Sequence, residues 1–515
     1  MLVESIIPGS REERGVVGEV KLYLQDHLDD VWTIDVPVLN WKYKCIVSTS
    51  GIEKQCFPLP YSSNGCIEIK RDSITWINNP EELSAVDVKD KVVVMPFPED
   101  PVLLRLTSLL VALRGGLLLV FYGEDNIIHG GLVTGSLGFS YSPTSNLSIP
   151  VVSLDKETLS ILVSNGGSIC IEQVLGDSTG WIVMGVLNGR RDEEIHIISH
   201  HDSLIGGLKS TPTTILLEVA RSLSKRGSNP RRYTIVFTSL TSREIGDPER
   251  TEYSYTWGER YLLRLLDARG SLDRVVTSIA LGPLLHSSVL RIHGHSLILG
   301  LLRDIGVEVN ENTFLLESHP YLEYGVPSIT IVSHESLKYR NTSRPVDKQV
   351  YSEVVEKTSK LVEYIINKLS EREQWIKTLR EHTYTKLGDT SLEIRVLASR
   401  ILETLLVEED FRAVRRVIKL SYGLTYTLCL NPVLYSIEAS PWSTLSPNTL
   451  SNIERIVSEC RGLLVIGDSD GYSTIISSSG LTRDYIDSLV KYRVKVLKKK
   501  IDYEFTKTLL ESKGE

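Results

Sequence analysis

The stretch Glu194-Ile195-His196-Ile197-Ile198-Ser199-His200-His201-Asp202-Ser203 decides the fold of this chain. Its first five residues are mostly apolar and predict a buried β-strand, and residues 213–223 (TTILLEVARSL) have the apolar spacing of a helix packed on a sheet. His200 and Asp202 therefore lie at the carboxyl end of a strand. Open α/β sheets place their active sites at that edge, so the stretch predicts both the fold class and the position of a functional cleft.

The same alternation of strand and helix continues along the chain. We predict strands at 181–187, 194–200, 233–239, 274–281 and 327–333, and helices at 212–225, 256–268, 296–305 and 349–370. This order is typical of an α/β fold with a mixed, largely parallel sheet flanked by helices. We assign residues 176–370 to this domain, and residues 1–45, which include an amphipathic helix over 16–28, to its N-terminal segment.

Two further regions differ in pattern from the α/β domain. Residues 46–175 contain short apolar strands separated by turns, which predicts a β-rich inserted domain. Residues 371–515 begin with charged helical segments and are predicted to form a mainly helical C-terminal extension. A chain of 515 residues exceeds the roughly 250–300 residues that one hydrophobic core supports, so several domains are expected.

The composition limits the partners of the protein. With 42% hydrophobic and 24% charged residues and a net charge of -8, it resembles an ordinary soluble protein. The basic residues form no dominant stripe, so we expect no nucleic-acid partner. The longest apolar run, residues 102–122, is interrupted by Arg105 and Arg114, so we expect no membrane span and a cytoplasmic location. Only 3 Met among 515 residues suggests a thermophile.

The cysteines form no C-x-x-C pair, and their spacing does not fit a zinc ribbon. We expect buried thiols at all six positions, which are Cys45, Cys56, Cys66, Cys170, Cys429 and Cys460. A disulfide among the first three is the alternative, and it would fit the oxidised cytosol of a hyperthermophile.

Six short motifs occur together in a characteristic order. They comprise residues 9–15 (GSREERG), 199–203 (SHHDS), 216–221 (LLEVAR), 237–246 (FTSLTSREIG), 257–261 (WGERY) and 318–327 (SHPYLEYGVP). In order and spacing they resemble the zinc exopeptidase family of aminopeptidase Y, bacterial leucyl aminopeptidases and transferrin-receptor-like proteins. The resemblance covers about residues 1–370. It implies an aminopeptidase-like α/β fold with a protease-associated-type insert at 46–175.

Active members of that family use two zinc ions, a bridging carboxylate, His and carboxylate ligands, and a Glu as general base. By resemblance, His200 matches the first His ligand, and Asp202 would orient it through a hydrogen bond. Glu244 matches the second residue of the Glu-Glu pair, a metal ligand. The general base position holds Arg243, which cannot accept a proton because the pKa of Arg exceeds ~12.

The other ligand positions are lost. The bridging Asp falls near Leu208 or Lys209, where residues 207–214 contain no carboxylate. The N-x-D segment matches residues 280–283 (ALGP), and the late His matches Arg340. The resemblance therefore predicts a pseudopeptidase that binds no cofactor and acts as a binding or assembly module, with a peptide or protein as its ligand.

Two other hypotheses remain. The first is an active zinc exopeptidase or other amide hydrolase, with one zinc held by His200, Glu244 and one of His201, His319 or His334. The second is a structural scaffold that forms a homodimer through the region after residue 371.

The substitutions also change the charge of the predicted cleft. Arg243, Arg340 and Lys209 add positive charge where the family has metal ions. These cations could form an ion-pair cluster with Glu244 and Asp202, because buried carboxylates need partners. Alternatively, they could bind an anionic group such as a peptide carboxylate.

Overall fold

The computed structural model describes residues 4–99, 101–123, 126–133, 146–225, 232–246, 256–302, 305–310, 316–333, 335–371 and 377–378. His334 lies outside these residues. Almost all of the predicted C-terminal extension also lies outside them. The hypothesis of a homodimer through this region concerns the same residues.

Strands and helices alternate through the described part of the chain. The strands are β1 Asp30–Thr49, β2 Ile52–Gln55, β3 Phe57–Pro58, β4 Gly65–Ile69, β5 Ile74–Trp76, β6 Val92–Pro96, β7 Leu118–Tyr122, β8 Val151–Leu154, β9 Gly167–Leu187, β10 Arg191–His200, β11 Tyr233–Leu240, β12 Val275–Leu281, β13 Leu290–Gly294, β14 Glu308–Asn310 and β15 Ser328–Ser333. The α-helices are α1 Arg11–Gln25, α2 Pro101–Leu113, α3 Lys156–Asn165, α4 Thr213–Lys225, α5 Trp257–Ala268, α6 Ser296–Leu301, α7 His319–Glu323 and α8 Lys348–Leu369.

The main sheet has ten described strands in the order β14-β13-β15-β12-β10-β11-β9-β1-β2, and β4 pairs with β9. Its centre is parallel, since β10 pairs in parallel with both β11 and β12, and β12 pairs in parallel with β15. Strands β9 and β13 pair with their central neighbours in the antiparallel direction. The predicted α/β fold with a mixed, largely parallel sheet is therefore confirmed.

Helices cover both faces of this sheet, which explains why β10 is apolar on both sides. Ile195 and Ile197 belong to a core with residues of α1, α4, α6 and α8. Ile198 belongs to a second core with residues of α5 and α7. Because side chains alternate along a strand, His196 and His200 lie on the same face as Ile198.

The first helix begins earlier than predicted. It runs from Arg11 to Gln25, whereas the apolar spacing predicted 16–28. Ser10 caps it, with Oγ accepting from Glu13 N at 3.0 Å, and the Glu13 carboxylate accepts from Gly9 N at 2.5 Å. This reciprocal pair is a capping box displaced by one residue, and it fixes the start of the helix independently of apolar spacing.

The insert contains a second sheet, in the order β3-β8-β7-β6-β5. It is joined to the main sheet by the long antiparallel pair β1 and β9, which stays in register from Asp30–Val186 to Ser48–Ser168. The predicted boundaries at 45/46 and 175/176 fall inside these two strands. The insert and the main sheet thus share β1 and β9.

Four of the predicted thiols are disulfide-bonded instead. Cys45 pairs with Cys56, which is the alternative that the sequence left open, and Cys66 pairs with Cys170. Cys66 and Cys170 are direct register partners in β4 and β9, with Cα atoms 4.0 Å apart. Strand pairing therefore brings together two residues that are distant in sequence.

None of the helices that the structure describes is both long enough and apolar enough to cross a membrane.

Candidate functional site

The cleft lies at the carboxyl ends of the central parallel strands, where the sequence predicted it. His200 ends β10, and Arg243 and Glu244 follow β11. Glu317 precedes α7, and Arg340 lies in the loop between β15 and α8. All five line one cavity of about 50 Å³.

Arg243 is the central cation of this cavity and is almost fully buried. Its Nε donates to Glu317 Oε1 at 2.5 Å, and its Nη1 pairs with Glu244 Oε1. Its backbone N–H donates to Asp202 Oδ2 at 2.8 Å. One residue therefore contacts three buried carboxyl groups. Hydrogen bonds between charged groups, such as those from its guanidinium, are stronger than hydrogen bonds between neutral groups.

Glu244 is held by two cations. Arg340 Nε donates to its Oε1 at 2.7 Å, and the same oxygen accepts from Arg243. The Asn341 side chain adds a hydrogen bond. Burial alone would raise the pKa of this carboxyl, but Arg340 and Arg243 outweigh burial and lower the pKa to about 2. Glu244 is therefore ionised throughout the neutral range.

His200 is buried beside two carboxyl groups that are too distant for good hydrogen bonds. Its Nδ1 lies 3.6 Å from Asp202 Oδ1, and its Nε2 lies 3.8 Å from Glu259 Oε2. Among the described residues, neither ring nitrogen has a hydrogen-bond partner. Burial, reinforced by the nearby Arg243, lowers the pKa of His200 to about 3, so the ring is neutral at pH 7.

Asp202 does not make the predicted hydrogen bond to His200. Its Oδ2 accepts from Arg243 N instead, which turns the carboxyl toward the segment after β11. Burial raises the pKa of Asp202 to about 7. The carboxyl therefore changes its charge near neutral pH.

His201 contacts a different set of residues from those of the cleft. Its Nδ1 lies 2.8 Å from Ser239 Oγ, and its Nε2 lies 3.2 Å from Glu13 Oε1. Glu13 is fully buried and also accepts from Thr241 Oγ1. Both ring nitrogens of His201 are thus used in joining α1 to the main sheet.

Of the remaining predicted site residues, Lys209 and His319 do not line the cavity. Lys209 is exposed in the single 3-10 turn Leu208–Ser210. His319 is buried at the first position of α7 but is not among the lining residues. His334 lies outside the described residues.

Sequence reasoning missed four contributors to these contacts. Glu259 lies within the motif 257–261, Glu317 directly precedes the motif 318–327 and Asn341 follows Arg340, but no sequence signal connected any of the three to His200. Glu13 was readable, because Ser10-x-x-Glu13 is a capping-box pattern at a helix start.

Glu317 also takes up space beside Gly282, in the segment that lacks the expected ligand. A Cβ atom at Gly282 would lie 3.0 Å from Glu317 Oε2. A larger side chain at residue 282 would therefore require Glu317, Thr330 or Val332 to shift.

Three non-glycine residues around the cleft adopt left-handed backbone conformations. They are Ser242 (φ 56°), Thr256 (φ 58°) and Asn341 (φ 53°). Thr256 N donates to Arg243 O at 2.7 Å, so two of the three are linked through Arg243. Such conformations cost free energy and are concentrated at functional sites.

The donor set does not fit a zinc ion. Within the part of the chain that the structure describes, no three His, Cys, Asp or Glu side chains are arranged to hold a metal. Of the two predicted ligands, Glu244 already binds two guanidinium groups, and His200 faces Asp202 and Glu259 on opposite sides of its ring.

Comparison with solved structures identifies the fold. The zinc aminopeptidase BSAP from Bacillus subtilis is similar to 70% of this chain over 90% of its own length, with a TM-score of 0.52 and 15% identity. A Peptidase M28 precursor from Shewanella amazonensis SB2B is similar to 71% of this chain over 90% of its own length, with a TM-score of 0.51 and 14% identity. No protein-family model and no curated protein matches the sequence. The chain thus has a zinc-aminopeptidase-like fold.

Proposed function

We propose that this chain is a degenerate relative of the zinc exopeptidases and acts as a non-catalytic binding or assembly module. The observation that carries the proposal is the position of Arg243. It stands where the resemblance puts the general base, and its guanidinium pairs with Glu244 and Glu317. A guanidinium cannot take a proton from water at any accessible pH, so this residue cannot start hydrolysis.

The charge balance of the cleft supports the same proposal. Metal ions in an active site neutralise the surrounding carboxylates, and an uncompensated buried carboxylate is costly. Here Arg243 and Arg340 supply that compensation permanently. Because both guanidinium groups already have carboxylate partners, the contacts favour the ion-pair cluster over the binding of an anionic ligand.

The ligand that we propose is a peptide or protein segment. The cavity is lined by apolar residues, among them Ile205, Leu284 and Leu285, as well as by charged ones. A lining of apolar side chains with a few fixed polar groups is typical of a specific binding site. No nucleic acid enters the proposal, because the net charge is -8.

The experiment that tests this proposal measures metal content and hydrolysis together. The purified protein is analysed for zinc, and a panel of aminoacyl and peptide substrates is assayed with the unchanged chain and with His200→Ala. We expect no stoichiometric zinc and no turnover. His27→Ala, at the end of α1 and away from the cavity, is the matched control. Stoichiometric zinc together with turnover that only His200→Ala abolishes would refute the proposal.

A second candidate function is an active zinc exopeptidase with a reorganised mononuclear site. The observation that favours it is His200, whose two ring nitrogens make no hydrogen bond within the described residues although the ring is buried. A metal ion bound there would satisfy one of them. Glu244 would then have to leave Arg340 to complete the site, so zinc added to the dialysed protein should bind more tightly to Arg340→Gln than to the unchanged chain.

We also propose a compartment with oxidising conditions. The two disulfides require either an oxidised cytosol, as in hyperthermophiles, or a location outside the cytosol. Of these two, we propose a cytoplasm that is itself oxidised. Cell fractionation followed by thiol labelling of the native protein distinguishes an oxidised cytosol from a location outside the cytosol.

A further inference from the structure

A short segment of the insert contacts the loop that carries Arg340. Residues 128–130 and 341–343 run antiparallel, with a bridge between His129 and Thr342. Gly130 N donates to Asn341 O at 2.7 Å, and Ser343 N donates to Ile128 O at 3.0 Å. These contacts join the insert to the cleft.

The contact is reinforced by side chains on both sides. Ser343 Oγ accepts from Ile128 N at 3.0 Å, so Ile128 and Ser343 bond in both directions. The other side of the segment is anchored in the insert, where His129 N donates to Ser153 Oγ at 3.1 Å and its ring stacks on Phe97. The segment is thus a fixed support for the loop.

Gly130 allows the two backbones to approach this closely. A Cβ atom at this position would lie 3.2 Å from Ile205 Cδ1 and 3.3 Å from Asn341 O. These distances are tighter than ordinary van der Waals contact, so a larger side chain would push the loop away from the insert.

The supported loop holds the charged centre of the cleft. Arg340 and Asn341 both bind the Glu244 side chain, and Asn341 has a left-handed backbone that places the two side chains. Glu244 is in turn paired with Arg243, whose backbone is tied to Asp202 and Thr256. A displacement at Gly130 would therefore reach Arg243 through Asn341, Arg340 and Glu244.

We propose that insert residues 128–130 are the positioning element of the cleft, and that they set the placement of Arg340 and Asn341 on Glu244. The insert is then part of the binding site, and any ligand or modification that shifts this segment changes the cleft. The proposal concerns the geometry of the cleft, so it stands or falls independently of whether the cleft binds or hydrolyses its ligand.

Hydrogen–deuterium exchange of the full chain tests the proposal with Ser343→Ala. This change removes the acceptor for Ile128 N and leaves the Arg340 and Asn341 side chains intact. Loss of one such hydrogen bond corresponds to about a tenfold change in local opening. We expect exchange about tenfold faster at the amides of 341–343 and also at Arg243, Thr256 and Trp257, on the far side of Glu244.

Two controls separate positioning from general loosening. Ser343→Thr keeps the hydroxyl and should restore the exchange of all these amides, whereas Ser352→Ala, on the exposed face of α8, should change none of them. Gly130→Val is the second variant, matched by Gly18→Val, where a Cβ has open space. The proposal is overturned if faster exchange in Ser343→Ala and Gly130→Val stays confined to 126–130 and 341–343.

Discussion

Arg243 Nε donates to Glu317 Oε1 across the cleft at 2.5 Å, although the two residues are 74 positions apart in the chain. Both side chains are almost fully buried. Removing one partner of a buried ion pair leaves the other charge without compensation, which costs far more than the pair contributes at a surface. We therefore expect the stability of the fold to depend on Arg243.

We expect Arg243→Met to lower the free energy of unfolding by about 3–5 kcal/mol, because Glu244 and Glu317 lose a shared cation. Guanidinium unfolding followed by circular dichroism measures the loss. Arg221→Met is the matched control, since Arg221 pairs with Glu218 at the surface of α4 and should contribute only about 0–1 kcal/mol. Equal effects for the two variants would show that the cluster is not a buried ion-pair centre.

Glu13→Ala should destabilise the protein by about 3 kcal/mol, because it leaves three donors, the partly buried Gly9 N and the buried Thr241 Oγ1 and His201 ring, without their acceptor. Glu12→Ala is a close control, since Glu12 is the exposed neighbour in the same helical turn. Thermal melting of the two variants compares them directly. If Glu12→Ala costs as much, the effect comes from the charge of the first turn and not from the buried contacts.

The two disulfides should contribute unequally to stability. In the chain-entropy account a cross-link restricts the unfolded chain more when it closes a longer loop. Cys66–Cys170 spans 104 residues and Cys45–Cys56 spans 11, so their removal by paired Cys→Ala changes should cost about 5 and about 3 kcal/mol. Denaturant unfolding without reductant measures both. The reverse order would mean that local packing, not loop closure, determines their contribution.

His129 should make the protein less stable as the pH falls. Burial lowers the pKa of this ring to about 4 from its ordinary 6.5. Between pH 4 and pH 6.5 the unfolded chain binds a proton at His129 that the folded chain does not. The contribution of His129 to the free energy of unfolding is therefore fully present above about pH 6.5, and it decreases by about 1.4 kcal/mol per pH unit down to about pH 4. Unfolding free energies measured from pH 4 to 7 should show a shallower slope for His129→Asn.

The pH dependence must be compared between His129→Asn and the unchanged chain, because other groups also change the free energy of unfolding with pH. The raised pKa of Asp202, about 7, acts in the opposite direction, because the folded chain keeps a proton that the unfolded chain has lost. The difference between His129→Asn and the unchanged chain cancels this contribution. An unchanged slope in His129→Asn would contradict the prediction.

The sequence predicted the central strands and helices well, because their apolar periodicity is local. It also placed Arg243 and Arg340 together with Glu244, since the resemblance put all three at one cleft. It did not predict Glu317 or the pairing of Cys66 with Cys170, because only tertiary packing and strand register bring these residues to their partners. Lys209 was expected in the cleft because it lies near the position of the bridging Asp in the resemblance, but its side chain is exposed and does not line the cavity.

The paired strands β1 and β9 have a consequence for how this protein can change. Both strands continue from the main sheet into the insert without interruption. A shift of their register by one residue would move every side chain of the strand to the opposite face of the sheet. Excising the insert would leave two truncated strands with unpaired edges, which invite aggregation. A substitution at one cleft residue such as Arg243 leaves both strands intact, whereas removal of the insert truncates them. The insert therefore cannot be removed as a separate module.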